Sequence, residues 1–144
     1  QGRVVMSLFD AMNIAASSLT AQTAKINTVA QNLANAETVA SSPEETYTAQ
    51  TPLFRAVLEG QIDPNDASQM GVMVEGLVEV GGPANQEFNP DHPLADDDGY
   101  IYKPDINPAT EMADLMQASR SFQNSIEAIN TAKQLALRTL TLGR

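Results

Sequence analysis

The apolar residues of the N-terminal segment recur every seven positions. One row consists of Val5, Met12, Leu19, Ile26 and Leu33, and a second row, three positions on, consists of Leu8, Ala15, Gln22, Val29 and Ala36. Rows with this spacing occupy the a and d positions of a helix with a narrow coiled-coil seam. No glycine or proline interrupts the stretch between Ser7 and Ser42, so we predict an N-terminal helical segment over residues 1–38.

The C-terminal segment carries a second helical stripe. Asn107 is a favourable N-cap, and Pro108 fits the first helical position. The stripe contains Met112, Leu115, Met116, Phe122, Ile126, Ile129, Ala136, Leu137 and Leu140. Ser119 and Lys133 interrupt one of its rows, which argues against a homodimeric zipper formed by this helix alone. We predict a C-terminal helix over residues 107–144.

The middle segment, residues 39–106, has a different character. Most of the glycines and prolines of the chain fall here, and these residues interrupt regular structure. Short candidate strands lie at residues 46–48, 54–58, 72–74, 77–80 and 100–102. Strands this short do not hold a large domain by themselves, so we expect a small β element that packs on the helices or on a neighbouring molecule.

Together these segments predict a mainly α fold. The long N- and C-terminal helices would pair, antiparallel or tilted, as a coiled-coil-like unit, and the small β/loop-rich middle segment would project from the pair. The other face of the N-terminal helix carries Asn13, Gln31, Asn32 and Asn35. An uncharged polar face suits close protein contact, although an ordinary amphipathic helix in a monomer is the simpler alternative.

Composition and charge exclude several classes of protein. The chain has no cysteine, which excludes disulfides and thiolate chemistry, and its single histidine excludes a histidine-rich metal site. The net charge of −10 argues against nucleic acid as a partner, because phosphate contacts need clustered Lys and Arg. No apolar run approaches the roughly 20 residues that span a bilayer, so we expect a chain that does not cross a membrane. Residues 37–114 carry a net charge of −14, whereas the two end segments carry +1 and +3, which indicates two kinds of surface.

The acidic run around His92 is the candidate for chemistry. It contains Asp91, Asp96, Asp97 and Asp98. Neighbouring prolines and Gly99 place the run on a surface turn, whereas acid–base catalysis needs a positioned pair in a dry pocket. A calcium-loop template matches in part, but Leu94 occupies its first position and Asp105, rather than a glutamate, its last. We therefore predict no enzyme, no cofactor, and no catalytic or metal site.

Several stretches of the chain resemble one protein family. Residues 16–22 (ASSLTAQ) and 29–38 (VAQNLANAET) are similar to the N-terminal signature of the bacterial flagellar axial proteins, the rod, hook and hook-associated family. Residues 118–123 (ASRSFQ), 129–133 (INTAK) and 139–143 (TLTLG) resemble the C-terminal signature of its rod members. Residues 89–93 (NPDHP), 98–100 (DGY) and 104–107 (PDIN) resemble the proximal rod members. The resemblance extends over nearly all of residues 7–143.

The resemblance implies a structural role and a set of partners. In rod proteins the terminal helices form the coiled-coil-like inner wall of a hollow tube, with a small middle domain outside. The subunits assemble helically with copies of themselves and with other flagellar rod proteins, and the tube transmits torque from motor to hook. The MS-ring/rod junction protein and export-gate components at the rod base are further implied partners. The implied location is the periplasm-spanning rod of the flagellum basal body, reached through the type III export apparatus without a cleaved signal peptide.

The residues expected to carry assembly are those of the helix rows. They are Met12, Leu19, Ile26, Val29, Leu33, Leu115, Phe122, Ile126, Ile129 and Leu140. The resemblance adds the polar motif residues Asn32, Asn35, Arg120 and Asn130.

A hypothesis of a different class is an independent acidic secreted binding or adaptor module. Its middle segment would bind cations or a basic partner, and the response would disappear in Asp98→Asn.

Overall fold

The computed structural model describes residues 2–58 and 70–143. The elements in chain order are α1 (Gly2–Asn35), a 3-10 turn (Pro43–Glu45), β1 (Gln50–Leu58), β2 (Met70–Glu79), β3 (Asn85–Phe88), β4 (Tyr100–Lys103) and α2 (Pro108–Leu142). Strand β1 pairs with β2, and β3 pairs with β4 in a second two-stranded sheet. Two long helices flanking a small β-containing middle confirm the main part of the predicted fold class. Coiled-coil pairing of the helices and the division into three segments stay predictions.

Both predicted helices are present, and α2 begins where the sequence places it. The side-chain oxygen of Asn107 accepts hydrogen bonds from the backbone N–H groups of Ala109 (3.0 Å) and Thr110 (3.4 Å). These bonds satisfy N–H groups that have no partner within the helix, as an N-cap does. None of the helices in the described ranges combines the length and the apolar character that crossing a membrane requires.

The strands differ from the prediction in three places. The two short strands expected at 72–74 and 77–80 form one strand, β2, which runs through Gly76 and ends at Glu79. The prediction of a strand at 46–48 was wrong, because Thr46 follows directly on the 3-10 turn that Ser42 caps. Strand β3 was not predicted, since its residues are mostly polar and all exposed. Its antiparallel pairing with β4, from Asn85 opposite Lys103 to Phe88 opposite Tyr100, holds it in place.

The chain forms two compact units, each assembled from distant parts of the sequence. Unit 1 contains Gln1–Ala24, Leu53–Gly76 and Ala118–Arg144, and unit 2 contains Lys25–Pro52 and Leu77–Gln117. The buried apolar side chains described in unit 2 are Val29, Ala36, Ala49 and Ile101, of which Ile101 is the largest that is fully enclosed. In unit 1 they are Ala21 and Ala118. Unit 2 therefore has the more substantial core among the described residues.

Candidate functional site

In unit 1, helices α1 and α2 meet through small side chains. Ala21 is 6% exposed and Ala118 is 2% exposed. The hydroxyl oxygens of Ser18 on α1 and Ser125 on α2 lie 3.5 Å apart, at hydrogen-bonding distance. Small residues let two helix backbones approach closely, but they bury little apolar area. This contact therefore positions the helices while contributing modestly to their stability.

An open groove runs along the same contact. One part, of about 550 Å³, lies between Leu8 and Ala11 of α1 and Thr131 and Leu135 of α2. A second part, of about 430 Å³, shares Ala11 and extends along α1 to Ser18 and along α2 to Ser125; Asn124 and Ala128 also line both parts. Rising residue numbers on α1 meet falling numbers on α2, so the two helices are antiparallel in this unit. We call this feature the helix groove.

The structure places the residues of the predicted assembly rows at different depths. Met12, Leu19, Ile26, Leu33, Leu115, Phe122 and Ile129 are half-buried, Val29 is buried, and Ile126 and Leu140 are exposed. The side chain of Val5, the first member of its row, lies outside the described residues. Leu8 and Ala15, of the second predicted row, line the helix groove, and the helix contact of unit 1 also includes Ser18 and Ala118. The small residues of α2 in this contact were not predicted, although their spacing of seven (Ala118, Ser125 and Ala132) was a signal that could have revealed them.

In unit 2, Asn32 is the centre of a hydrogen-bond network that we call the Asn32 hub. Its side chain is 3% exposed. The amide oxygen accepts hydrogen bonds from the Tyr47 hydroxyl and from the backbone N–H of Gln50, both at 2.9 Å. The amide nitrogen donates to the backbone oxygen of Gln50 at 2.9 Å and to a carboxylate oxygen of Glu111 at 3.2 Å. Two accepted and two donated bonds use the full capacity of a side-chain amide.

The Asn32 hub joins three separate stretches of sequence. Asn32 lies on α1, Tyr47 and Gln50 lie at the start of the middle segment, and Glu111 lies in the first turn of α2. Partial burial, together with the nearby negative charge of Glu111, raises the pKa of Tyr47. The Tyr47 hydroxyl keeps its proton at neutral pH and donates it to Asn32, and the raised pKa extends this to more alkaline solution.

The other polar motif residues have simpler surroundings. The Asn35 side chain donates to the backbone oxygen of Gln31 at 2.8 Å, within its own helix. Arg120 and Asn130 are exposed on α2. The structure therefore gives Asn32, alone of the four predicted polar residues, a set of long-range partners among the described residues. Those partners, Tyr47, Gln50 and Glu111, were not predicted.

The acidic run folds into a turn that Asp96 holds together. Its carboxylate accepts hydrogen bonds from the backbone N–H groups of Tyr100 (2.8 Å) and Asp98 (3.0 Å) and from the Tyr102 hydroxyl (3.0 Å). The bond from the Tyr100 N–H, more than the others, lowers the pKa of Asp96. The same carboxylate raises the pKa of Tyr102 by accepting its hydroxyl hydrogen bond. These hydrogen bonds occupy the Asp96 carboxylate and stabilise the turn.

Within residues 2–58 and 70–143, no three or more His, Asp or Glu side chains are arranged so that they could hold a metal ion. The His92 ring accepts a hydrogen bond from the backbone N–H of Leu94 at 3.1 Å, two residues along the same turn. His92 and Asp96 therefore serve local structure in this loop.

Comparison with known proteins identifies the family. Residues 97–142, which contain β4 and α2, match the family described as the flagellar basal body rod FlgEFG protein C-terminal domain. Over 141 residues the chain is 39% identical to the flagellar basal-body rod protein FlgC of Salmonella typhimurium, covering 96% of this chain and 100% of that protein. It is 38% identical over 139 residues to FlgC of Escherichia coli, with the same coverage. The chain belongs to the FlgC family of flagellar basal-body rod proteins.

The FlgC relationship extends to distant bacteria. FlgC of Bacillus subtilis is 28% identical over 150 residues, again covering 96% of this chain and 100% of that protein. The family membership confirms the predicted structural role in the basal-body rod and the prediction that the chain is no enzyme. The alternative of an independent acidic binding module receives no support from these relatives.

Proposed function

We propose that this FlgC-family chain is a subunit of the proximal rod that assembles helically into a hollow drive shaft and transmits torque from motor to hook. The observation that carries the proposal is the exposed apolar surface of α2. Leu137 is 55% exposed and Leu140 is 63% exposed, and Ile126 is 39% exposed. Apolar side chains clustered on one exposed helix face indicate a protein interface.

The energetics of unit 1 support this assignment. Burying a leucine or isoleucine of this exposure in an interface stabilises a complex by about 1–2 kcal/mol for each side chain. The contact between α1 and α2 in the same unit consists largely of alanine and serine, which bury little area. Contacts with neighbouring subunits would therefore supply stability that unit 1 does not provide by itself.

The partners follow from the same proposal. They are copies of this chain, other flagellar rod proteins, and the MS-ring/rod junction protein and export-gate components at the rod base. The half-buried and exposed residues of the predicted helix rows, together with Arg120 and Asn130, would form the contacts. We further propose a periplasm-spanning position reached by flagellar type III export without a cleaved signal peptide. The helix contact of unit 1 supports this, because the buried apolar side chains described there are the small ones of Ala21 and Ala118, and a segment that buries few large side chains is kept unfolded at low cost.

The test introduces a charge into the exposed apolar face. Ile126→Asp and Leu140→Asp are expected to abolish swimming while expression and the helical circular dichroism signal stay unchanged, because an aspartate buried in an interface is strongly unfavourable. Gln134→Asp, on an exposed polar position of the same helix, is the matched control and should swim normally. Normal swimming by both Ile126→Asp and Leu140→Asp would contradict the proposed function.

A further inference from the structure

The helix groove is a shallow apolar channel whose walls are formed mainly by small side chains. Its two parts share Ala11, Asn124 and Ala128, so they form one continuous feature along unit 1. Alanine walls leave room for larger side chains from outside, as the holes of a helix–helix interface do. Glu127 also lines the groove and places a negative charge there.

A second surface of α2 has the complementary composition. Ile126, Lys133, Leu137 and Leu140 follow one another at intervals of seven, four and three residues, which places them on one helix face. We call this face the outer stripe. Ile126 and Leu137 are each two residues from a groove residue, Ala128 and Leu135, and two residues correspond to about 200° around a helix. The outer stripe therefore points away from the groove, and its large side chains are exposed.

The charges of the two surfaces are also complementary. Glu127 lines the groove, and Lys133 lies within the outer stripe. The ion pairs found among the described residues are Arg55–Glu75 and Lys103–Glu87, so neither Glu127 nor Lys133 has an ionic partner there. Six residues separate them on α2, which corresponds to about 120° around the helix, so the two charges lie on different faces and each is available to a different neighbour.

We infer that the helix groove of one subunit receives the outer stripe of a second copy of this chain, with Lys133 of the incoming copy opposite Glu127 in the groove. This inference rests on the proposed rod function and names the surfaces through which identical copies would meet. Because the two surfaces differ, each contact leaves one groove and one stripe free. Such a heterologous contact continues from subunit to subunit, as an open helical assembly requires.

The first test exchanges the two charges in the flagellated cell. Glu127→Lys and Lys133→Glu each place like charges opposite one another, and each is expected to reduce swimming and to lower subunit–subunit cross-linking about tenfold. The double variant restores opposite charges and should recover both readouts. If the double variant is as impaired as the single ones, or if neither single variant is impaired, the groove–stripe contact is wrong.

The second test uses the absence of cysteine from the chain. Two variants, Ala128→Cys in the groove and Leu137→Cys in the stripe, carry different epitope tags and are expressed together. A short bismaleimide should link one variant to the other in swimming cells, and each variant expressed alone should give little cross-linked dimer. Predominant links between identical variants, or no dimer in swimming cells, would overturn the inference.

The two proposals fail in different ways. If Ile126→Asp and Leu140→Asp swim normally, both the rod assignment and the groove–stripe contact fail. If those two variants are non-motile but the charge exchange does not recover function, the rod assignment stands and the groove–stripe contact fails. Circular dichroism of each purified variant separates loss of folding from loss of contact.

Discussion

Asn32 shows how one side chain can hold distant parts of a small unit together. The Asn32 side-chain amide forms hydrogen bonds with both the N–H and the C=O of Gln50, as an adjacent strand would. It also forms hydrogen bonds with the side chains of Tyr47 and Glu111. These partners lie 15, 18 and 79 residues away in sequence. The sequence marks Asn32 only as part of a motif, because periodicity describes which face a residue occupies and not what meets it there.

We expect Asn32→Ala to lower the free energy of unfolding of unit 2 by about 2–3 kcal/mol. The substitution leaves the backbone N–H and C=O of Gln50 and the Tyr47 hydroxyl without their partner in a partly buried site. Asn35→Ala is the matched control, since the hydrogen bond described for the Asn35 side chain is to Gln31 of the same helix, and it should change stability by about 0.5 kcal/mol or less. Urea unfolding of each purified variant, followed by tyrosine fluorescence, measures the two changes in the free energy of unfolding. Equal shifts for the two variants would contradict the role of the Asn32 hub.

The pairing of Asp96 with Tyr102 predicts a pH dependence. Asp96→Asn should lower the pKa of Tyr102 toward its usual value of 10.0, because the charged acceptor that raises it is gone. Glu44→Gln is the control, since Glu44 is the weakest of the groups that raise this pKa. Titration of the Tyr102 ring by NMR measures the shift. A larger decrease in Glu44→Gln than in Asp96→Asn would contradict the assignment.

The same carboxylate sets the behaviour of the loop in acid. The pKa of Asp96 is lower in the folded chain than its usual value of 3.8. Its contribution to stability is therefore complete above pH 3.8 and is lost as the pH falls through the lower folded value. In Asp96→Asn this acid-dependent step should disappear from the backbone N–H signals of Tyr100 and Asp98. Its persistence would show that another group controls the loop.

At the scale of elements, the β3–β4 pair depends on the backbone conformation at Gly99. Gly99 has φ of +84°, and a Cβ there would lie 3.1 Å from atoms of both Phe88 and Pro90. We expect Gly99→Ala to destabilise unit 2 by about 2 kcal/mol, because left-handed backbone is unfavourable for residues with a Cβ. Gly76→Ala, where a Cβ would meet nothing within 4 Å, should have little effect. Thermal unfolding followed by circular dichroism compares the melting temperatures of the two variants. Equal melting temperatures would count against a requirement for left-handed backbone at Gly99.

The elements also show where sequence patterns succeed and where they fail. The helices were predictable because long stretches without glycine or proline carry a periodic apolar pattern, and Asn107 marks the start of α2. The β2 strand was predicted as two pieces because Gly76 interrupts its apolar run. Strand β3 was missed because its stability comes from pairing with β4 and from the edge-on contact of Phe88 with Tyr100, whose ring centroids are 5.2 Å apart. Pairing partners of this kind leave no local pattern in a polar strand.

At the scale of the molecule, the two units combine segments that are far apart in the chain. The sequence suggested two terminal helices and a separate middle segment, and the charge distribution supported that division. In the structure, parts of α1, of the middle segment and of α2 occur in both compact units, and the division of the chain into three segments stays a prediction. Which parts of two long helices share a unit depends on long-range contacts, such as Ser18 with Ser125 or Asn32 with Glu111, and no local pattern specifies these.

This arrangement predicts that the two units differ in stability in the isolated chain. Unit 2 has Ile101, Val29 and the Asn32 hub, whereas the buried apolar residues described in unit 1 are Ala21 and Ala118. Free energies of local opening follow the buried apolar contacts of each region. In a dilute monomer, the backbone N–H groups of Ile101 and Gln50 should therefore exchange with solvent at least about 100-fold more slowly than those near Ser125 or Leu137.

Hydrogen exchange followed by NMR or mass spectrometry tests this difference directly. In assembled rods the slow exchange should extend into unit 1, because neighbouring subunits would then cover the apolar face around Leu137. Ile126→Asp should leave the protection of unit 2 in the monomer unchanged and prevent the gain in unit 1. If unit 1 is already as protected as unit 2 in a dilute monomer, the predicted difference in stability is wrong. Unit 1 would then be stable without its neighbours, and assembly would cover the exposed face around Leu137 without being needed for folding.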